Sequence, residues 1–152
     1  MKQSISMHEG VILYNFIREH NIKTVVETGI YHGTSSAFIL DEIGETGHLT
    51  SIDPDLSHLI EPHRHNWTIM EARSQDVLET ALKVVPDMFF HDSRHDYETM
   101  MFEYKMAYKY GVQFIGSHDI NHPGIKSAWQ EFINDYNIKI HYTSPKFAIG
   151  EI

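Results

Sequence analysis

The stretch that most constrains the fold of this chain is a short β-branched run followed by a glycine-spaced turn. The run Thr24–Glu27 ends in an acid, Gly29 and Gly33 follow it, and Thr34 can begin a helix. A strand that passes through such a turn into a helix is typical of α/β folds, in which ligands lie against the exposed backbone of the turn. The sequence therefore predicts an α/β protein whose ligand site begins here.

Apolar strands and amphipathic helices alternate along the rest of the chain. The predicted strands are Lys23–Glu27, Gly47–Asp53, Trp67–Glu71, Met88–Asp92, Val112–Gly116, Lys139–Tyr142 and Lys146–Ile149. The predicted helices are Met7–His20, Thr34–Ile43, Asp55–His63, Asp76–Val85, His95–Tyr110 and a last one from Ile125 to Tyr136. Five strands that are each followed by a helix predict a mostly parallel seven-stranded sheet with helices on both faces. The tight turn between the last two strands predicts that they close the sheet as an antiparallel pair.

Length and composition limit the class of protein. A chain of 152 residues can bury a core of its own, so we expect one domain over residues 1–152. Acidic residues outnumber Lys plus Arg by 21 to 12, which argues against nucleic-acid binding because that needs clustered cations. The absence of cysteine excludes thiolate metal sites and a Cys nucleophile. No apolar run is typical of a membrane span or a signal peptide, so we expect a cytoplasmic protein with no membrane partner.

Acidic side chains gather at the carboxyl ends of the predicted strands. They are Glu27, Asp53, Asp92 and, after the fifth strand, the pair His118 and Asp119. Ligands of parallel sheets bind at this edge, and we interpret it as the functional edge. Asp53 follows Gly29 by 24 residues, near the spacing at which an acid reaches the ribose hydroxyls of a bound nucleotide.

The spacing within the turn discriminates between two cofactors. The turn reads Gly-x-x-x-Gly, with Tyr31 in the middle, where a dinucleotide-binding turn has Gly-x-Gly-x-x-Gly. A bulky Tyr31 would obstruct a pyrophosphate lying close to the backbone, which disfavours NAD. S-adenosylmethionine (SAM) has no pyrophosphate, and its carboxylate can accept hydrogen bonds from the amides of the turn and of the following helix. The ammonium of SAM could donate to Glu27, directly or through water.

Four segments, in this order, resemble the class I SAM-dependent methyltransferases, in particular the methyltransferase 24-like family. They are Val25–Ser35, Ser51–Pro54, Phe90–Tyr97 and Ser117–Gly124. The resemblance implies a Rossmann-like class I methyltransferase sandwich, SAM as cofactor, and O-methylation of a small-molecule or sugar-like acceptor. The cofactor-binding residues that it implies, together with the turn chemistry, are Glu27, Gly29, Tyr31, Gly33, Ser35, Asp53, Ser74, Gln75 and Asp76. Alternatively, Ser74 caps the following helix and its neighbours are solvated.

The same resemblance places the reacting groups after the fourth and fifth strands. Asp92 is implied to lie near the methyl group, and His95 is the candidate base because imidazole titrates near neutral pH. Alternatively, His95 only bonds Asp92 or the backbone at the start of a helix. Some relatives hold a divalent cation at the positions of Asp92, His118 and Asp119, and they often have a carboxylate where this chain has His118. Because Mg²⁺ prefers oxygen ligands, His118 weakens a magnesium prediction. Alternatively, a mixed nitrogen and oxygen set suits a transition metal such as Zn²⁺, Mn²⁺ or Fe²⁺, and its members would be Asp92, His95, His118, Asp119 and His122.

The sequence leaves three functions open: a SAM-dependent methyltransferase, a metal-dependent hydrolase or oxidoreductase on the same fold, and a non-catalytic SAM-binding module. Few residues lie outside the predicted sheet and its helices, so we expect a shallow acceptor site, or one that a second subunit completes in a homo-oligomer. Candidate walls of that site are Tyr31, His32, Arg94, Tyr97 and the loop Asn121–Pro123.

Overall fold

A computed structural model describes residues 4–152 of the chain as one sheet flanked by helices. The strands are β1 (Thr24–Thr28), β2 (His48–Asp53), β3 (Trp67–Glu71), β4 (Met88–His91), β5 (Phe114–His118), β6 (Lys139–Thr143) and β7 (Phe147–Glu151). The helices are α1 (Met7–Glu19), α2 (Thr34–Ile43), α3 (Ser74–Leu82), α4 (Tyr97–Lys109) and α5 (Pro123–Asp135).

The order of the strands determines where a ligand can bind. The sheet runs β3-β2-β1-β4-β5-β7-β6, with β1 to β5 parallel and with β7 antiparallel to both β5 and β6. The chain builds outward in one direction from β1 to β3 and then in the other direction from β4. Such a switch point opens a crevice at the carboxyl ends of the two central strands. The predicted parallel sheet and its closing antiparallel pair are confirmed.

Strand alternation divides the core into two layers. Val26 and Phe89 face α3, α4 and α5, whereas Val25 and Phe90 face α1 and α2. All four side chains are at most 1% exposed. Both faces of the central strands are therefore buried, as is expected when helices cover both sides of a parallel sheet.

The fifth strand is shifted relative to the prediction. It spans Phe114–His118 instead of Val112–Gly116, because Val112 still completes the end of α4 through a hydrogen bond from its N–H to the carbonyl of Ala107. His118 is consequently the last residue of β5, and Asp119 begins the loop that follows.

The predicted helix over Asp55–His63 is wrong. Residues 54–66 form a loop with isolated turns between β2 and β3. Side chains satisfy the backbone locally, because Asp53 Oδ1 accepts from the N–H of Asp55 at 2.9 Å and Asp55 Oδ1 accepts from that of Ser57 at 3.0 Å. Turns of this kind compete with helix formation. The expected pattern of five strands each followed by a helix therefore fails after β2.

None of the helices within residues 4–152 is both long and apolar enough to cross a membrane.

Candidate functional site

A cleft opens at the carboxyl edge of the sheet, where the switch point between β1 and β4 predicts it. Its volume is about 640 Å³, within the range of small-molecule sites. The residues that line it are Thr28, Gly29, Ile52, Asp53, Pro54, Arg73, Ser74, Gln75, Asp76, Ser93, Arg94, His95 and Thr99. The cleft thus brings together seven residues that the sequence singled out: Gly29, Asp53, Ser74, Gln75, Asp76, Arg94 and His95.

Close packing requires the first glycine of the turn. Gly29 has a φ of +85°, and a Cβ atom there would lie 2.0 Å from the backbone carbonyl oxygen of Asp92. Because any side chain would collide with the loop after β4, only glycine lets that loop approach the turn. The glycine therefore fixes the distance between the two loops that flank the cleft.

Asp53 organises the turn from the end of β2. Its Oδ2 accepts hydrogen bonds from the N–H groups of Ile30 at 2.7 Å and Tyr31 at 3.3 Å. Two of the turn amides that were expected to face a ligand carboxylate thus donate to Asp53 in this structure. Tyr31 itself has a φ of +50° and stacks its ring on His32, outside the residues that line the cleft. Gly33 precedes α2 with a φ of +85° and also lies outside the lining.

Glu27 lies on the other face of β1 from the cleft. Strand alternation turns it toward α2, where it is fully buried and accepts hydrogen bonds from the hydroxyls of Ser35, Ser36 and Ser51. Burial raises the pKa of Glu27 to about 7, against the effect of the three hydroxyls, which lower it. Glu27 and Ser35 tie β1 to α2 in this arrangement, and their contact with a cofactor stays a prediction.

The wall beyond β3 comes from the start of α3. Arg73 occupies the N-cap position and Ser74 is already helical, so the alternative that Ser74 caps the helix does not hold. Gln75 donates from Nε2 to Thr99 Oγ1 at 3.2 Å, which links this wall to α4. The three predicted residues 74–76 therefore sit together along one side of the cleft.

A second buried acid, Glu103 of α4, lies beneath the cleft, and the sequence did not single it out. It is fully buried, and it accepts from Thr28 Oγ1 at 2.7 Å and Ser93 Oγ at 2.9 Å and contacts His91 Nδ1 at 2.6 Å. Burial would raise its pKa, but the charge and hydrogen bond of His91 lower it below its usual value. The sequence does contain one indication that Glu103 is buried. It lies three residues after Met100 and four before Ala107, which places it within the apolar stripe of α4.

Acidic and imidazole side chains converge beside the cleft. One potential ligand atom from each of Asp92, His118 and Asp119 lies within 4.8 Å of the others. His95, which lines the cleft, joins them through its Nε2 atom, 3.2 Å from Asp119 Oδ2. From α1, Glu9 places Oε2 3.4 Å from His118 Nε2. We refer to these five residues as the histidine–carboxylate cluster.

The electrostatics of the cluster centre on His118, whose side chain is 3% exposed. Burial would lower the pKa of His118, but Asp92, Asp119 and Glu9 together raise it to about 9. Burial raises the pKa of Asp92, whereas His95 and His118 hold that of Asp119 below its usual value against the effect of burial. The group therefore combines carboxylates of unequal basicity with a well-oriented imidazole, which suits proton transfer or binding of a cation.

Glu9 is a member of the cluster that sequence reasoning missed. It forms a capping box at the start of α1, in which Ser6 donates to Glu9 Oε2 from its N–H at 2.8 Å and from its hydroxyl at 2.6 Å. The motif Ser-x-x-Glu signals a helix start. Nothing in it signals contact with a residue 109 positions away in the sequence.

Other candidates contribute less to this site. His122 places its ring 5.1 Å from that of His95 and forms the N-cap position of α5. Tyr97 donates its hydroxyl to Glu131 at 2.7 Å on the surface of the protein. Arg94 lines the cleft and pairs with Asp96 at 2.7 Å.

Comparison with known proteins identifies related folds. A family model described as a methyltransferase domain, Methyltransf_24, matches residues 26–112. No curated protein matches the sequence. Among solved structures, cofactor-bound Rv0187 from MTB is 13% identical with a TM-score of 0.83, over 100% of this chain and 83% of that one. The O-methyltransferase from Bacillus cereus in complex with S-adenosylhomocysteine (SAH) is 11% identical with a TM-score of 0.79, over 98% and 82%.

A third structure, cmcI-D160 with Mg and SAM, is 18% identical with a TM-score of 0.71, over 97% of this chain and 72% of that one. At these identities the three likenesses establish the fold.

Proposed function

This chain belongs to the methyltransferase 24 family, whose model matches more than half of it, and on that premise we propose that it transfers a methyl group from SAM to an oxygen of a small-molecule acceptor. The observation that carries the proposal is the cleft itself. It joins Gly29 of the turn, Asp53 at the end of β2 and Ser74 at the start of α3 on one side with His95 on the other.

The cofactor would occupy the β1–β2–β3 side of the cleft. Asp53 is 2% exposed and lies at the end of β2, the position from which an acid reaches ribose hydroxyls. Residues 74–76 line the same side and supply polar groups for the adenine ring. Gly29 supports this assignment because it keeps the floor free of side chains. Bound SAM supplies an activated methyl group on its sulfonium.

His95 is the proposed base. When the acceptor oxygen forms its bond to the methyl carbon, the bond from that carbon to sulfur breaks, and the acceptor proton passes to His95. Asp119 supports this role because its Oδ2 lies 3.2 Å from His95 Nε2 and would stabilise the resulting imidazolium. Asp92 would face the methyl group from the start of the same loop.

A divalent cation is part of the proposal. Asp92, His118 and Asp119 would hold it, with ligand atoms that already lie within 4.8 Å of one another. Protein ligands to one ion at about 2.0–2.2 Å lie at most about 4.4 Å apart. The residues therefore fit an ion after movements of a few tenths of an ångström. When bound, the cation would orient the acceptor oxygen and increase its acidity.

The identity of the acceptor is proposed only as a class. The solved structure from Bacillus cereus is that of an O-methyltransferase, which supports oxygen as the acceptor atom. The structure of cmcI-D160 contains Mg with SAM, which supports a cation beside the cofactor. A homo-oligomer that completes the acceptor side stays a prediction, and light scattering of the purified protein tests it.

Binding of SAM and SAH tests the proposal first. At 100 times its dissociation constant a ligand adds about 2.7 kcal/mol to the free energy of unfolding, so saturating SAH should raise the Tm by about 5–10 °C. Asp53→Asn should weaken SAH binding at least tenfold. The matched control, Asp55→Asn, changes an acid two residues further along the chain that does not line the cleft. No stabilisation by SAM or SAH, or equal losses in both variants, would reject the cofactor assignment.

Turnover tests the enzymatic part separately. With a panel of small hydroxyl compounds as acceptors, SAH release by the wild type should exceed that of His95→Gln by 10²–10⁴-fold in kcat, at unchanged affinity for SAM. His141→Gln is the control, since His141 contacts Glu151 at 2.7 Å and belongs to no part of the cleft or cluster. SAM binding without transfer to any acceptor would identify a binding module.

A further inference from the structure

Both ring nitrogens of His118 face carboxylates. Nε2 lies 3.4 Å from Glu9 Oε2, while Nδ1 lies 3.3 Å from Asp92 Oδ1 and 3.5 Å from Asp119 Oδ2. The ring is almost fully buried, so its orientation is set by these contacts and by packing. One imidazole thus stands between a carboxylate of α1 and the two carboxylates that follow β4 and β5.

We propose, building on the cation site proposed above, that this site binds a divalent transition metal in preference to Mg²⁺, with His118 Nδ1 as a nitrogen ligand and Glu9 as the positioning residue of that imidazole. Asp92 and Asp119 supply the oxygen ligands. The N-terminal helix α1 thereby becomes part of the metal site, although it lies outside the segment that the family model matches.

The nitrogen and oxygen ligand atoms of the site determine which metal it prefers. Mg²⁺ takes oxygen ligands in near-octahedral geometry and keeps several waters, whereas imidazole suits Zn²⁺, Fe²⁺, Ni²⁺ and Cu²⁺. A buried imidazole at one of three converging positions removes one oxygen from a magnesium site and adds a ligand that transition metals favour. The three ligand atoms leave further coordination positions for an acceptor or for water.

Glu9 has the position expected of an orienting carboxylate. A metal-bound histidine almost always donates its other ring N–H to a carboxylate, carbonyl or water, which fixes the tautomer. Here Glu9 faces Nε2, so a proton held there leaves the lone pair of Nδ1 directed at Asp92 and Asp119. Two hydrogen bonds from Ser6 hold the same Oε2 atom of Glu9 in place, so the positioning residue is itself fixed.

The charges of the cluster favour an ion. Three carboxylates, those of Glu9, Asp92 and Asp119, surround His118 with little exposure to water. Within residues 4–152, the side chains that form ion-pair contacts with this imidazole are all acidic. A divalent ion would offset two of the three charges, whereas even a protonated imidazole offsets only one. Helix α1 and the loops that follow β4 and β5 thus all present negative charge to the proposed ion.

Metal binding by the chelator-treated full-length protein tests the inference. Isothermal titration with MnCl₂ and MgCl₂ compares two ions that both accept octahedral oxygen sites, so the change of their affinity ratio between the wild type and His118→Asp reports the nitrogen ligand. The wild type should bind Mn²⁺ at least tenfold tighter than Mg²⁺. His118→Asp should shrink that ratio severalfold by restoring an all-oxygen set. Electron spin echo spectra of the Mn²⁺ complex should contain a ¹⁴N coupling that is lost in His118→Asp.

The positioning role of Glu9 is tested by measuring metal binding and not by measuring stability. Glu9→Gln should weaken Mn²⁺ binding by about 10–100-fold, as loss of an orienting partner does. His141→Gln, which alters another histidine–carboxylate contact, should leave Mn²⁺ binding unchanged. Ser6→Ala should weaken binding less than Glu9→Gln, because Glu9 itself remains.

The outcomes separate this inference from the proposed function. A wild-type protein that binds SAH but binds Mn²⁺ no tighter than Mg²⁺, or whose ¹⁴N coupling persists in His118→Asp, would overturn the metal assignment alone. A protein that binds Mn²⁺ as described but neither SAM nor SAH would overturn the methyltransferase proposal and leave the metal site intact.

Discussion

Two glutamates are buried on opposite sides of β1, and different partners stabilise their carboxyl groups. Glu27 and Glu103 are both fully buried, and each contacts three side chains at hydrogen-bond distance. Glu27 faces α2 and has only serine hydroxyls as partners. Glu103 extends from α4 toward the other face of β1, and its partners include hydroxyls and the imidazole of His91.

One imidazole reverses the direction of the pKa shift. Burial raises the pKa of Glu27 to about 7 even though three hydroxyls oppose it. Burial acts in the same direction on Glu103, but His91 outweighs it and leaves the pKa below the usual value. Neutral donors therefore do not compensate for burying a carboxylate here, and a single potential cation does. The charged network lies under the cleft, and the more neutral one holds the scaffold.

The largest effect is expected from removing the charge of Glu103. Glu103→Gln should lower the free energy of unfolding by about 3–5 kcal/mol at pH 6, because it leaves His91 buried without its carboxylate. Urea unfolding checks this. SAH affinity should also fall, since Thr28 and Ser93 line the cleft and depend on Glu103 for their orientation. Equal destabilisation by Glu27→Gln at the same pH would contradict the comparison.

The second largest effect is expected from Glu27, in the pH dependence of the free energy of unfolding. Its pKa is raised from 4.5 to about 7, so the unfolded chain ionises first as the pH rises. The contribution of Glu27 to the free energy of unfolding is fully present below pH 4.5. It decreases by about 3 kcal/mol in total as the pH rises to about 7. Glu27→Gln should remove that component. Urea unfolding of both proteins at pH 5, 6 and 7.5 measures the difference.

The contribution of Glu103 to the free energy of unfolding should change with pH in the opposite direction to that of Glu27. Its lowered pKa means that its contribution is present above the unfolded value and is lost as the pH falls through the folded one. Subtracting the Glu103→Gln curve from the wild-type curve should therefore give a component that rises with pH. A falling component would mean that His91 does not control this carboxylate.

A smaller effect is expected from the hydroxyl network around Glu27. Ser51 donates to Glu27 at 2.7 Å and accepts from Trp67 Nε1 at 2.8 Å. Ser51→Ala should cost about 2 kcal/mol, because it leaves a buried indole N–H without its acceptor. Ser36→Ala, which removes only a bond to Glu27, is the matched control and should cost about 1 kcal/mol. Thermal unfolding at pH 7 ranks the two variants.

An effect as small as that of Ser36→Ala is expected at Thr28, whose hydroxyl donates to Glu103. Thr28→Val should cost about 1 kcal/mol, because Glu103 keeps Ser93 and His91 as partners. Thermal unfolding at pH 7 measures it. A loss as large as that of Glu103→Gln would mean that the threonine, and not the imidazole, stabilises the buried charge.

The local sequence pattern was sufficient to predict most of the strands and helices and their arrangement in the sheet. The alternation of apolar strands with amphipathic helices predicted the parallel sheet, and the tight turn before β7 predicted its antiparallel end. The helix predicted after β2 failed because Asp53 and Asp55 satisfy nearby amides in turns, an outcome that an apolar pattern does not indicate.

The site was predictable where it depends on the carboxyl edge of the sheet. Asp53, Ser74 and His95 line the cleft because strand order and direction bring these loops together. Glu27 carries the same kind of side chain at the same edge, yet the pleat of β1 turns it to the other face. Strand alternation was visible in the sequence, but which face would carry the cleft depended on how the helices pack.

The sequence by itself determined the α/β class, the glycine turn and the row of acids at the strand ends, because each depends on spacing within a few residues. Only the tertiary structure decided which acids bear charge and which meet. Glu9 reaches His118, and Glu103 reaches His91, across distances that no local pattern encodes. Burial and contact energies depend on the folded surroundings of a side chain, and those surroundings exist only once the sheet and its helices have packed.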